Sequence, residues 1–144
     1  MILITSPVAT SIAEVVRLEF NLTPIKLLLM ASKFYLVQHE IRAGKSKVWW
    51  ETVRKALAPG GGWDEAVVKN LEAGFYNHSA NGIAEEGPVY CIWETREEIT
   101  AEQFQEFIDG PNGPDFGLGA LMNICKQINP ELMGGATPYE RKFV

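Results

Sequence analysis

The chain has 144 residues, 47 % of them hydrophobic and 22 % charged, which suits one soluble globular domain with its own core. Its net charge of -5, with no cluster of Lys and Arg, argues against nucleic acid or an anionic membrane surface as partner. Two cysteines and two histidines, none at metal-ligand spacing, point to no metal site and no cofactor.

The N-terminal stretch "MILITSPVATSIAEVVRLEF" is apolar, but no basic residue precedes Arg17, and Glu14 and Glu19 interrupt it. Neither a signal peptide nor a membrane span is expected. Ser11-x-x-Glu14 is a capping-box pattern, so a short helix is predicted here, ended by Pro24. Met30 then opens "MASKFYLVQHEI", which reads like a protein start running straight into a strand. Residues 1–29 are read as an extension and 30–144 as a single domain. The alternative is an N-terminal helix that docks on the domain or on a partner. With no secretory signal, the sequons at Asn21 and Asn77 are chance matches. Cys91 and Cys125 fit free thiols in a reducing cytoplasm.

"KFYLVQHEI" (33–41) is predicted as a strand. "SKVWWETVRKALA" (46–58) is predicted as a helix with Ser46 as N-cap, ended by Pro59 and three glycines. A second helix is predicted over "WDEAVVKNLEAG" (63–74). Asp64 is its expected cap, Val67, Val68 and Leu71 its inward face, and Gly74 its stop. "FYNHSANGI" (75–83) is the second strand, with Asn81-Gly82 as a turn signal. "PVYCIWETRE" (88–97) is the third. Thr100-x-x-Gln103 opens a helix whose stripe is Phe104, Phe107 and Ile108. "DGPNGPDFGLG" is a loop. Its glycines follow a helix rather than a strand, which sets aside a dinucleotide-binding turn. "ALMNICKQINPEL" fits either strand or helix, and the bracketing Gly and Pro favour strand. The tail "GGATPYERKFV" is expected to run extended along the surface or a partner.

The predicted class is α+β: β-α(α)-β-β-α-β, an antiparallel four-stranded sheet with helices on one face, in the ferredoxin-like order. "FYLV", "VYCIW" and "ALMNIC" are apolar on both parities. A sheet with one covered face should alternate. The second face is therefore expected to be covered too, most simply by another subunit.

On this element order and these double-sided strands, residues 33–132 resemble the dimeric α/β-barrel group of ferredoxin-like proteins. That group includes cofactor-free monooxygenases of the antibiotic-biosynthesis type, haem-degrading relatives, muconolactone-isomerase-like proteins and stress-responsive barrel proteins. The extra helix over 63–74 and the N-terminal extension depart from the pattern. The resemblance implies a homodimeric barrel. It also implies a pocket in which Asn and His fix or polarise a substrate while Trp walls it. No spacing here maps one such motif onto another.

Period two assigns the strand faces. Tyr35, Val37, His39 and Ile41 share one, Cys91 and Trp93 another, and Asn77 and Ser79 oppose Tyr76 and His78. If 120–129 is a strand, Asn123 and Cys125 share a face. The catalytic candidates are His39, His78 and Asn77. Histidine can act as acid or base near neutral pH. The alternative for either histidine is a structural side chain, a core histidine at position 39 or a strand-end residue at 78. Trp49, Trp50, Tyr76 and Trp93 are the ligand-binding candidates. Trp49 and Trp50 point about 100° apart on a helix, so one enters the core and the other faces a pocket, a partner or solvent. Two functions follow as expectations. One is a small cytoplasmic homodimer that binds, and transforms without a metal, a small aromatic or lipophilic molecule. The other is a non-enzymatic interaction or stress-associated barrel whose aromatics form the subunit interface.

Overall fold

The computed structural model describes residues 31–144. The expected helix after Ser11 and the extension over 1–29 lie outside the described residues.

Among the described residues, four strands and three α-helices follow one another as β1 (Lys33–Ile41), α1 (Ser46–Leu57), α2 (Trp63–Ala73), β2 (Phe75–Gly82), β3 (Val89–Thr95), α3 (Ala101–Asp109) and β4 (Leu121–Gln127). A 3-10 turn over Pro130–Met133 follows. The strands form one sheet in the order β2-β3-β1-β4, with every neighbour antiparallel. This α+β arrangement is compatible with the ferredoxin-like order. The ambiguous run at 120–129 is a strand. It pairs with β1 along its whole length, Tyr35 opposite Gln127 through Ile41 opposite Leu121.

One sheet face carries the core. Tyr35, Val37, Cys91, Trp93 and Phe75 pack there against Trp49 of α1 and Phe104 and Ile108 of α3. The aromatic rings interlock: Tyr35 lies 4.2 Å from Phe104, and Phe75 stacks on Phe107 at 4.0 Å. The start of α3 is closed as predicted. Thr100 accepts from the Gln103 N–H, and Gln103 reaches back to the Thr100 N–H. The glycine-rich loop after α3 is wound on Asp115, whose carboxylate accepts from the N–H groups of Gly119, Ala120 and Leu121. That loop positions β4.

Four local expectations need correction. Ser46 is the first helical residue rather than the cap. Its hydroxyl donates to the Glu85 carbonyl and ties α1 to the loop after β2. The cap of α2 is Gly62 in the left-handed region, not Asp64. Val67 and Val68 of α2 do not face inward; they are 37 % and 54 % exposed, together with Trp63. Asn81-Gly82 is not the turn. Both residues pair with β3, and the chain reverses over residues 83–87, where the Ile83 N–H bonds the Pro88 carbonyl. A Cβ at Gly82 would lie 3.1 Å from the Trp50 ring, a tight contact that glycine avoids.

The opposite, outer face is covered at one end by the chain's own tail. Residues 137–143 run across it as a strap. The Lys142 and Phe143 N–H groups donate to the buried Glu94 carboxylate, and Arg141 bonds both the carbonyl and the hydroxyl of Ser32. The rest of this face is apolar and open, with Leu36 39 %, Met122 49 % and Ile124 38 % exposed. Part of the double-sided apolar character of the strands is thus met within one chain.

Candidate functional site

The two histidines lie on opposite faces of the sheet. β2 carries a bulge: Asn77 opposes Trp93 and Ser79 opposes the next residue, Ile92, leaving His78 unpaired between them. Asn77 shares the inner face with Trp93. His78 turns outward, and the extra residue brings Ser79 to the side of Ile92 rather than leaving it beside Asn77.

On the outer face His78 is part of the latch for the strap. Its Nε2 is 2.8 Å from Glu94 Oε1, and its ring stacks on Tyr139 at 4.9 Å. Tyr76 sits beside it, with the Lys142 ammonium 4.9 Å from its ring centre. Burial pushes the Glu94 carboxyl up. The Lys142 and Phe143 N–H groups, then His78 and Ser32, outweigh burial and hold it below the usual carboxylate range. Among the described residues, no fully buried side-chain polar atom of this cluster is without a partner.

On the inner face His39 is fully buried, with an exposure of 0 %. Its cross-strand partner on β4 is Asn123. His39 Nδ1 lies 2.5 Å from Asn123 Oδ1. The Asn123 amide nitrogen donates to Asp109 Oδ1 at 2.9 Å and reaches the Ile108 carbonyl at 3.4 Å, both at the end of α3. Gln105, one turn earlier, donates to the other Asp109 oxygen and to the Asn123 carbonyl. Burial lowers the His39 pKa, and Asn123 and Asp109 offset only part of that, so the ring is held neutral. Asp109 and Asn123 also line a cleft of about 300 Å³ with Arg42, Leu121 and Met122.

Among the described residues, four buried polar atoms on this face have no hydrogen-bond partner: Tyr35 Oη, His39 Nε2, Asn77 Oδ1 and Trp93 Nε1. Asn77, Trp93 and Tyr35 form one cross-strand row over β2, β3 and β1. His39 lies four residues along β1. Between them sits Cys91, whose thiol burial pushes up to about 11, with Asn77 and Trp93 pulling weakly the other way. Burial likewise raises Cys125 to about 12. Both are free thiols held protonated, which makes them poor nucleophiles.

Of the residues singled out from sequence, the inner face pairs Asn77 with Trp93 and carries His39 about 13 Å further along the sheet, and the outer face brings together His78 and Tyr76. Trp49 is buried and Trp50 half-buried, and their rings meet edge-on at 4.6 Å. Both indole nitrogens donate to loop carbonyls, Trp49 to Pro114 and Trp50 to Glu85. They clamp loops. Tyr35, Asn123 and Asp109 were missed as site residues. The only available signal was that Asn123 shares a face with Cys125 once β4 is a strand, and its register against His39 is a tertiary fact. Among the described residues, no three His, Cys, Asp or Glu side chains gather as a metal site, and no helix is long and apolar enough to cross a membrane.

A family model described as a domain of unknown function (DUF8652) matches residues 34–136. No curated protein and no solved structure matches the chain.

Proposed function

The chain belongs to the DUF8652 family, and for it we propose a binding function: a cytoplasmic homodimeric barrel that takes a small aromatic or lipophilic molecule against the inner sheet face, without a metal. The observation that carries this reading is the set of four unpartnered polar atoms on that face, Tyr35 Oη, His39 Nε2, Asn77 Oδ1 and Trp93 Nε1. A buried polar group without a partner costs about 1–3 kcal/mol, and folded chains keep few of them. Four on one face make sense when an occupant completes them. Tyr35 and Trp93 supply donors, and His39 and Asn77 supply acceptors. Phe104 and Phe107 supply aromatic surface beside them. The matching ligand is a flat apolar molecule bearing hydroxyl or carbonyl groups.

The dimer is proposed on the outer face, where Leu36, Met122 and Ile124 stand exposed next to half-buried Ile92. Two such faces packed together would make the barrel that the dimeric α/β-barrel resemblance implies. A second reading, an interaction barrel with no ligand, draws on the same exposed patch. That patch is aliphatic, whereas most of the aromatic rings are spent in the core.

A thermal-shift screen with naphthols, hydroxyquinones and aryl ketones separates the two readings. The native protein is expected to gain melting temperature with at least one class, and Asn77→Ala and Trp93→Phe to lose that gain. No shift with any class, alongside a dimer in sedimentation that Ile124→Lys dissociates, supports the second reading. A monomer of the native protein in sedimentation removes the dimer from both.

A further inference from the structure

The contacts around His39 fix which of its nitrogens carries the proton. A carboxylate can only accept, so the Asn123 amide nitrogen must face Asp109. The Ile108 carbonyl on the same side demands the same orientation. The Asn123 oxygen therefore faces His39, and Nδ1 must carry the hydrogen that joins them. In the neutral ring Nε2 is then a bare lone pair. It is fully buried and has no partner. Nδ1 is spent on Asn123 of β4, so Nε2 is the one nitrogen of the ring left to meet another group on the inner face, which also carries Cys91, Trp93 and Asn77.

We propose that His39 is a catalytic base acting through Nε2 on an acidic O–H of the bound aromatic molecule, with Asn123 and Asp109 as positioning residues that hold its tautomer. This rests on the binding reading above and names the chemical class of its ligand: a phenol or enol. In the step, the substrate O–H bond breaks and its electron pair stays on oxygen. The proton forms a new N–H bond at Nε2. The resulting imidazolium is stabilised through Nδ1–H by the Asn123 oxygen, and through the Asn123 amide by the Asp109 carboxylate. Return of the proton from Nε2 restores the neutral ring, so the step needs neither oxidant nor metal. Burial favours the neutral ring and so keeps the base unprotonated near neutral pH. Gln105 braces Asp109 from within α3, which makes the arrangement a built one rather than a chance contact.

The test has two readouts. Nitrogen-15 NMR of the free protein should find His39 protonated at Nδ1 and bare at Nε2. Asp109→Asn, a change at an exposed side chain, should mix the two tautomers while the fold is kept. The probe is 4-nitrophenol, whose acidity is close to that of imidazole. On binding it should move the nitrogen-15 resonance of Nε2 and leave that of Nδ1 nearly in place, because the phenol O–H meets Nε2 and a ring of lowered pKa takes only a partial share of the proton, and His39→Gln should retain binding by thermal shift. A proton on Nε2 in the free protein, or a tautomer indifferent to Asp109→Asn, overturns the assignment. Binding of 4-nitrophenol that leaves the Nε2 resonance unmoved overturns the base and leaves the binding reading standing. Absence of binding by every phenol tried overturns both.

Discussion

The two faces of the sheet treat buried polarity in opposite ways. On the outer face Glu94 is fully buried, and its carboxylate receives His78 and two backbone N–H groups of the strap. Among the described residues, no fully buried side-chain polar atom of that cluster lacks a partner. On the inner face His39 is equally buried; each histidine has one nitrogen engaged, but only the free nitrogen of His39 is a buried atom with no partner among the described residues. Two histidines of one chain thus have one completed environment and one open environment. A saturated cluster holds the chain to itself, and a cluster with free valences holds something else. Residue type does not separate the two; the buried polar atom left without a partner does.

The largest expected effect breaks the saturated side. Glu94→Leu leaves the Lys142 and Phe143 N–H groups and His78 without their acceptor. Each stranded group costs about 1–3 kcal/mol, discounted where water replaces the carboxylate. A loss of about 3 kcal/mol is expected in urea unfolding. The strap should also come loose, and trypsin should cut after Arg141 and Lys142 faster than in the native protein. A loss below about 1 kcal/mol with unchanged proteolysis would mean that the strap is held by its aromatic contacts alone, Tyr139 on His78 and Arg141 on Phe34.

Acid separates the faces by pH. His39 has its pKa lowered from its ordinary 6.5, so the unfolded chain binds that proton more readily. Its contribution is fully present above 6.5 and is lost as the pH falls toward its folded value. Glu94 is lowered from 4.5, and its contribution is present above 4.5 and lost further down. Stability should therefore fall in two stages on acidification. In urea titrations from pH 8 to pH 3, His39→Gln should remove the upper stage and Glu94→Gln the lower. A single stage below 4.5 in the native protein would mean that the inner histidine is not held neutral.

How far the sequence foretold this contrast depends on the range of each interaction. Strand faces follow from period two, so Tyr35, Val37 and His39, and likewise Cys91 and Trp93, could be grouped before any coordinates. The separation of Asn77 from His78 followed too, because adjacent strand residues point apart. The bulge that turns Ser79 outward left no local mark. Asn81-Gly82 imitated a turn because glycine serves two purposes, and here it makes room for Trp50. Val67 and Val68 imitated a buried face because α2 carries apolar residues on a side that the described chain leaves open. Asn123 and Asp109 were hidden for a different reason. They meet His39 through the β1–β4 register and the end of α3, with 84 residues between His39 and Asn123. The strap was read only as an extended tail, since its docking depends on a carboxylate nearly fifty residues upstream.

The smallest expected effect is the sharpest test of the open side. Tyr35 packs its ring on Phe104 at 4.2 Å, while its hydroxyl has no partner. Burial raises its pKa, so the hydroxyl stays neutral and keeps its proton to donate. Tyr35→Phe preserves the ring and removes only the stranded oxygen. Taking away an unsatisfied buried group relieves its desolvation penalty, so the variant should match the native protein or exceed it by up to about 1 kcal/mol. Its response to phenolic ligands in the thermal screen should shrink. Gained stability with lost binding is the signature of a side chain kept for a ligand at the expense of the fold. A loss of 2 kcal/mol or more would instead mean that the hydroxyl has a structural partner in solution, and the inner face would then be built on the same plan as the outer.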